Sequence, residues 1–276
     1  MKNQYNLRTM LLYSAFCMTV PFSHAEQVTY PTDKPIDNPL NLSLDRHPVT
    51  QEVRLDLDVV EKKGEIFNPN TNTFDQVLLR SYQERGNDTK TPFVGPTIRI
   101  KPGDTVRVNI NNQLPFDEPA CMKDINTPHN FNSTNLHSHG LWISPSGNSD
   151  NVLIKIDPGV TFEYEWNIPA DHPAGTFWYH PHLHGSTALQ VSSGMAGALI
   201  IEGDRTPTVR HNGDIDTLLK NDDGTTPTGT AFTERLAVFG QIQYACRNSQ
   251  GQIKPANPGD IEHNGKNVGP WLCDEK

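Results

Sequence analysis

Residues 96–114 read PTIRIKPGDTVRVNINNQL, and this stretch decides the fold class. Ile98 and Ile100 alternate with other residues before Pro102-Gly103-Asp104, and Val106, Val108 and Ile110 alternate after it. A period of two is the mark of a strand with one buried face, and Pro-Gly-Asp marks a chain reversal. The stretch predicts a hairpin: strand, turn, strand, each arm with its apolar set on one buried face. Outward from it, residues 53–60 (VRLDLDVV) and 74–82 (FDQVLLRSY) repeat the strand pattern, as do 136–143, 161–168, 176–180 and 197–202. No run of 12 residues has a helical period. Six to eight short strands between turn signals predict an all-β chain, an antiparallel β-sandwich or barrel.

Composition narrows the partners. The 276 residues carry a formal net charge of −9 and no basic run, which argues against nucleic acid. A mean hydropathy of −0.57 excludes a polytopic membrane protein. Lys2 and Arg8 precede an apolar stretch at 10–20, Pro21 breaks it, and Ser23-His24-Ala25 offers small residues for cleavage. Residues 1–25 therefore read as a signal peptide cut near Ala25, too short to span a bilayer, with no membrane anchor after it. The expected location is secreted or periplasmic. In that oxidising setting Cys121, Cys246 and Cys273 remain. Cys246 and Cys273 are near enough in sequence to pair, other pairings staying open.

Residues 26–49 form a polar, Pro-rich extension, and 50–204 hold the strand-rich domain. From 205 to 276 the chain turns polar, with one good strand pattern at 235–244 (RLAVFGQIQY). That region reads as the start of a second sandwich domain that stays incomplete, or as a tail packed on the first.

Seven of the 11 histidines lie between His129 and His184, with His-x-His pairs at His137/His139, His180/His182 and His182/His184. On a strand, residues i and i+2 share a face, so each pair sets two imidazoles side by side. Two such strands converging would gather four imidazoles, a donor set suited to Cu, Zn, Fe or Ni. A pH-sensing cluster is the bland alternative. Pro181 should end or bulge its strand. His129 and His172 read as solvated loop residues, and Trp142 and Trp178 as core or site-wall aromatics.

The segments TNLHSHGLWISPSGNSDNVL (134–153) and HPAGTFWYHPHLHGSTALQVSSGMAGALII (172–201) resemble the copper-binding segments of the first domain of multicopper oxidases, laccases among them. VGPTIRIKPGDTVRVNINNQL (94–114) resembles the lead-in strands of that domain. The resemblance implies a cupredoxin-like sandwich over 50–204 and the opening of a second such domain over 205–276. It implies copper, with His137 on a type 2 ion and His139, His180 and His182 on a type 3 pair. Asp150 would feed protons to the cluster, and His184 would support rather than ligate. The implied reaction takes electrons from phenols or low-valent metal ions and reduces dioxygen to water. A complete trinuclear cluster needs four His-x-His segments, and half of its ligands are here. No cysteine has a histidine beside it, so the type 1 site is absent, which also argues against a two-domain small laccase. The expectation is a chain inactive alone, lacking its C-terminal domains. The rival readings are a stand-alone copper-binding module and a sandwich whose histidines bind zinc.

Overall fold

The computed structural model describes residues 38–50, 52–68, 72–87, 93–116, 129–221 and 224–242, together with the backbone of two short strands further on. The expected signal peptide, the extension up to residue 37, and Cys121, Cys246 and Cys273 lie outside the described residues.

Two sheets face each other. The first holds β1 (Asp45–Arg46), β2 (Glu52–Asn68), β3 (Thr73–Glu84), β5 (Thr105–Asn112) and β7 (Thr161–Asn167). It runs β1-β2-β5-β7, with β3 sharing the β1 side of β2. The second runs β4 (Gly95–Ile100), β9 (Gly197–Ile201), β8 (Gly175–His180), β6 (His137–His139). Two short helices, α1 (Thr187–Ser192) and α2 (Ile215–Leu219), complete the ordered elements up to residue 242. A separate pair, β10 (Glu262–His263) and β11 (Lys266–Asn267), forms its own small ladder.

The core follows from the alternation. Val53, Leu55, Leu57 and Val59 of β2, Val106, Val108 and Ile110 of β5, and Tyr164 and Trp166 of β7 point inward from one sheet. Ile98 and Ile100 of β4, Tyr179 of β8, and Leu199 and Ile201 of β9 meet them from the other. All belong to one buried cluster, and burying each such side chain is worth about 1.5–3 kcal/mol. The polar residues between them pair on the outer face, where Arg107 meets Glu163 at 3.0 Å and Glu165 at 2.8 Å.

Three expectations need correction. First, 96–114 is not a hairpin. Ile98 and Ile100 pair with β9, while Val106, Val108 and Ile110 pair with β2 and β7. The turn is a corner between sheets: Asp104 is buried, accepts the Lys101 N–H at 2.7 Å and is gripped by the Arg46 guanidinium. A turn signal says that the chain reverses, not that its arms pair. Second, the pairing is mixed rather than wholly antiparallel, because β2–β5 and β4–β9 are parallel. Each pair is joined by a long crossover, as parallel strands require. Third, residues 235–242 form no strand despite their alternation. They lie along the sandwich instead, with Leu236 N–H on Asn38 Oδ1 at 2.9 Å and Glu234 paired with Arg99. An apolar stripe without a neighbouring strand cannot satisfy its backbone as sheet.

Candidate metal centre

The site grows from the β6–β8 ladder. β6 and β8 pair antiparallel, with His137 opposite His180 and His139 opposite Trp178. Strand β6 is an edge of three residues, shorter than the 136–143 run expected. Gly140 ends it with φ +96°, in the left-handed region where a side chain is strained. A Cβ there would also lie 3.1 Å from the Phe177 ring. Past His180, Pro181 withdraws a donor and the strand stops, as expected.

The four predicted imidazoles come together. Ring centroids lie 5.2 Å apart for His137–His180, 5.1 Å for His137–His182, 5.5 Å for His139–His180 and 5.9 Å for His180–His182. His137, His139 and His180 each offer a ring nitrogen within 4.8 Å of the others. His139 Nδ1 and His180 Nε2 are 3.2 Å apart, a separation two nitrogens on one ion can adopt. His182 borders this trio and is exposed.

Hydrogen bonds set the tautomers. His137 Nδ1 lies 3.0 Å from the Asp150 carboxylate, which also accepts the Ser138 N–H at 2.9 Å. His180 Nδ1 lies 2.9 Å from the Pro181 carbonyl. Carboxylate and carbonyl only accept, so both Nδ1 atoms carry the proton and both Nε2 atoms present lone pairs. Burial, then the neighbouring imidazoles, push the His180 pKa below its ordinary value, against the pull of the Pro181 carbonyl. That favours the neutral form a metal requires. The donor set and tautomers thus fit an imidazole-liking transition metal.

Trp178 forms one wall, stacked 4.1 Å from His180 and 5.0 Å from His139, both at 26°. Trp142 is 60% exposed and stands on the loop after β6. His184 lies 5.9 Å from His129 rather than among the four. Two expectations fail here: His129 and His172 are buried, not solvated. His129 is drawn in by its N–H on the Gly185 carbonyl at 3.0 Å, and His172 by bonds at both ring nitrogens.

Residues without a motif complete the frame. Asn135 is fully buried, donates to the Val152 and Ile154 carbonyls at 2.9 and 3.1 Å, and accepts the His182 N–H at 2.6 Å. It lies just before β6, and no local pattern marks it out. Gln190 of α1 donates to the Phe131 and Ser133 carbonyls and accepts from Thr134 Oγ1. No periodicity announces that six-residue helix.

Known proteins resemble this chain over the same region. Residues 86–206 match the family model described as multicopper oxidase. GMC1 of Saccharomyces cerevisiae, grouped with the multicopper oxidases, is 30% identical over 185 residues, 64% of this chain and 29% of that one. Laccase-1 of Agaricus bisporus is 30% identical over 128 residues, and the multicopper oxidase mco of Staphylococcus aureus is 34% identical over 113. The match spans 45% and 41% of this chain and 21% of each of those two, so the chain corresponds to well under half the length of its curated relatives. A crystal structure of the Pediococcus acidilactici multicopper oxidase is similar with a TM-score of 0.46 at 22% identity, covering 61% of this chain and 29% of that one. Residues 86–206 thus carry a domain of the multicopper oxidase type, folded as a cupredoxin-like β-sandwich.

Proposed function

We propose that His137, His139, His180 and His182 are copper ligands, supplying half of a trinuclear site whose remaining ligands come from outside the four. The observation that carries this reading is the gathering of three ligand nitrogens within 4.8 Å at one sheet edge, with two tautomers already set for metal. Bound copper supplies one-electron chemistry toward dioxygen, with electrons drawn from phenols or low-valent metal ions. The chain's own residues orient and protonate. Asp150 holds the proton on His137 Nδ1 and is placed to deliver one toward the site. Trp178 covers the outer rim of His139 and His180. The chain works outside the cytosol, secreted or periplasmic, after cleavage near Ala25.

The 276-residue chain binds copper without turning over. No thiolate stands beside an imidazole in its sequence, so it offers no type 1 centre to load electrons. No helix among the described residues is long and apolar enough to cross a membrane.

Copper titration of the purified chain tests this, with His180→Ala in parallel. Copper uptake by the wild type is expected, with affinity in His180→Ala reduced by at least the roughly 10–100-fold typical of losing only a supporting partner. An oxidase assay on the loaded wild type should show no blue absorption and no phenol oxidation. Equal copper affinity in both proteins would sink the ligand assignment, and dioxygen consumption by the lone chain would sink the claim of inactivity.

A further inference from the structure

His172 lies outside both His-x-His segments, yet it is completely buried and both of its nitrogens are engaged. Nε2 receives the Trp142 backbone N–H at 3.0 Å. Nδ1 lies 2.9 Å from the Pro173 carbonyl, which can only accept. The ring is therefore neutral with its proton on Nδ1, and neither nitrogen is open to a metal. Its ring also sits 5.4 Å from the rings of both Trp142 and Phe177.

These partners belong to the two ligand segments, Trp142 just past β6 and Phe177 within β8. Trp142 comes three residues after His139, and Phe177 comes three residues before His180. Phe177 in turn closes on Gly140, the residue that leads the chain out of β6. One imidazole thus touches the exit of the first strand and the middle of the second. The β6 strand needs such a brace, because three residues paired on one side cannot hold their own geometry. Asp150 steadies His137 and Asn135 steadies His182, whereas His139 is followed by a glycine.

We infer that His172 is a positioning residue of the metal site, fixing the loop after β6 against β8 and so setting the separation of His139 from His180. The inference rests on the copper reading above for its consequence and on the metal-free geometry for its substance.

The test compares three full-length variants. His172→Phe keeps a ring against Trp142 and Phe177 but deletes the acceptor. His172→Gln restores an acceptor at the Nε2 position. His172→Asn, too short to reach Trp142, replaces the Phe variant should that one fail to fold. Copper affinity is measured by chelator competition, Cu(II) coordination by electron paramagnetic resonance, and the His139 and His180 ring signals by NMR without metal. The Phe or Asn variant is expected to bind copper about tenfold more weakly, within the range for outer partners of metal ligands. Its resonance spectrum should change, and the Gln variant should recover both. Wild-type affinity and spectrum in a folded Phe or Asn variant would overturn the inference. Should the wild type bind no copper, the copper reading fails by itself. The metal-free ring signals then decide for His172: shifted in Phe or Asn and restored in Gln supports positioning, and unshifted overturns it.

Discussion

Residues 52–59 and residues 235–242 carry similar patterns and end differently. In the first, Val53, Leu55, Leu57 and Val59 are buried, with β5 along one side of the strand and β1, then β3, along the other. In the second, Leu236 and Val238 are only half-buried, Phe239 is 97% exposed, and no ladder forms. The difference lies in the neighbours. β2 has a partner on each side and a second sheet facing it, whereas 235–242 is tied by the Leu236 N–H to Asn38 and, just before it, by Glu234 to Arg99. Alternation marks a segment able to be a strand, and a facing layer makes it one.

The largest test of this contrast is Leu57→Ala. A fully buried leucine in a core cluster should cost about 2–5 kcal/mol when truncated, read as a lowered midpoint in urea unfolding. A loss under about 1 kcal/mol would mean that the two regions differ less than their burial says.

An intermediate effect is expected between Arg205 and Asp214, which staple the chain just past the sandwich at 2.7 Å. The guanidinium holds the Asp214 pKa below its ordinary 3.8. A carboxyl with a depressed folded-state pKa contributes in full above its ordinary value, and the contribution disappears as pH falls through the lowered one. Protection against amide exchange over 203–217, taken relative to the intrinsic rates, should therefore fall only below about pH 3.8, and Asp214→Asn should remove that fall. A fall already between pH 6 and 5 would assign the staple to other groups.

The smallest effect belongs to Phe239→Ala, within about 0.5 kcal/mol of wild type because the ring contacts so little. A cost above about 1 kcal/mol would show that 235–242 has a covering partner in solution.

The same contrast explains what could be read in advance. β2, β3, β4, β5, β7, β8 and β9 lie where alternation predicted strands, since period two is a local property. The partners of β4 and β5 could not be read, because Pro102-Gly103-Asp104 describes a reversal and says nothing of which sheet each arm joins. The imidazole cluster was legible for the local reason too: His137/His139 and His180/His182 are i, i+2 pairs, and one ladder brings them together. His172 and Asn135 gain their roles only from groups distant in the chain, Trp142 for one and His182 for the other. Nothing in the spacing of His172 sets it apart from a loop residue.

The corner at 101–104 bears on how such a chain assembles. Sandwiches fold slowly because most of their pairs join residues far apart, and closing each loop costs entropy that grows with its length. Here Ile100 and Val106 lie on opposite layers yet are six residues apart. The two layers can therefore first touch at very small loop-closure cost, with Asp104 locking the corner through Lys101 and Arg46. By contrast, β4 meets β9 only after about a hundred residues have been threaded, with β6 and β8 among them. The histidine-bearing strands are thus late joiners to an early corner, and a metal arriving before they dock would meet four imidazoles on a loose chain.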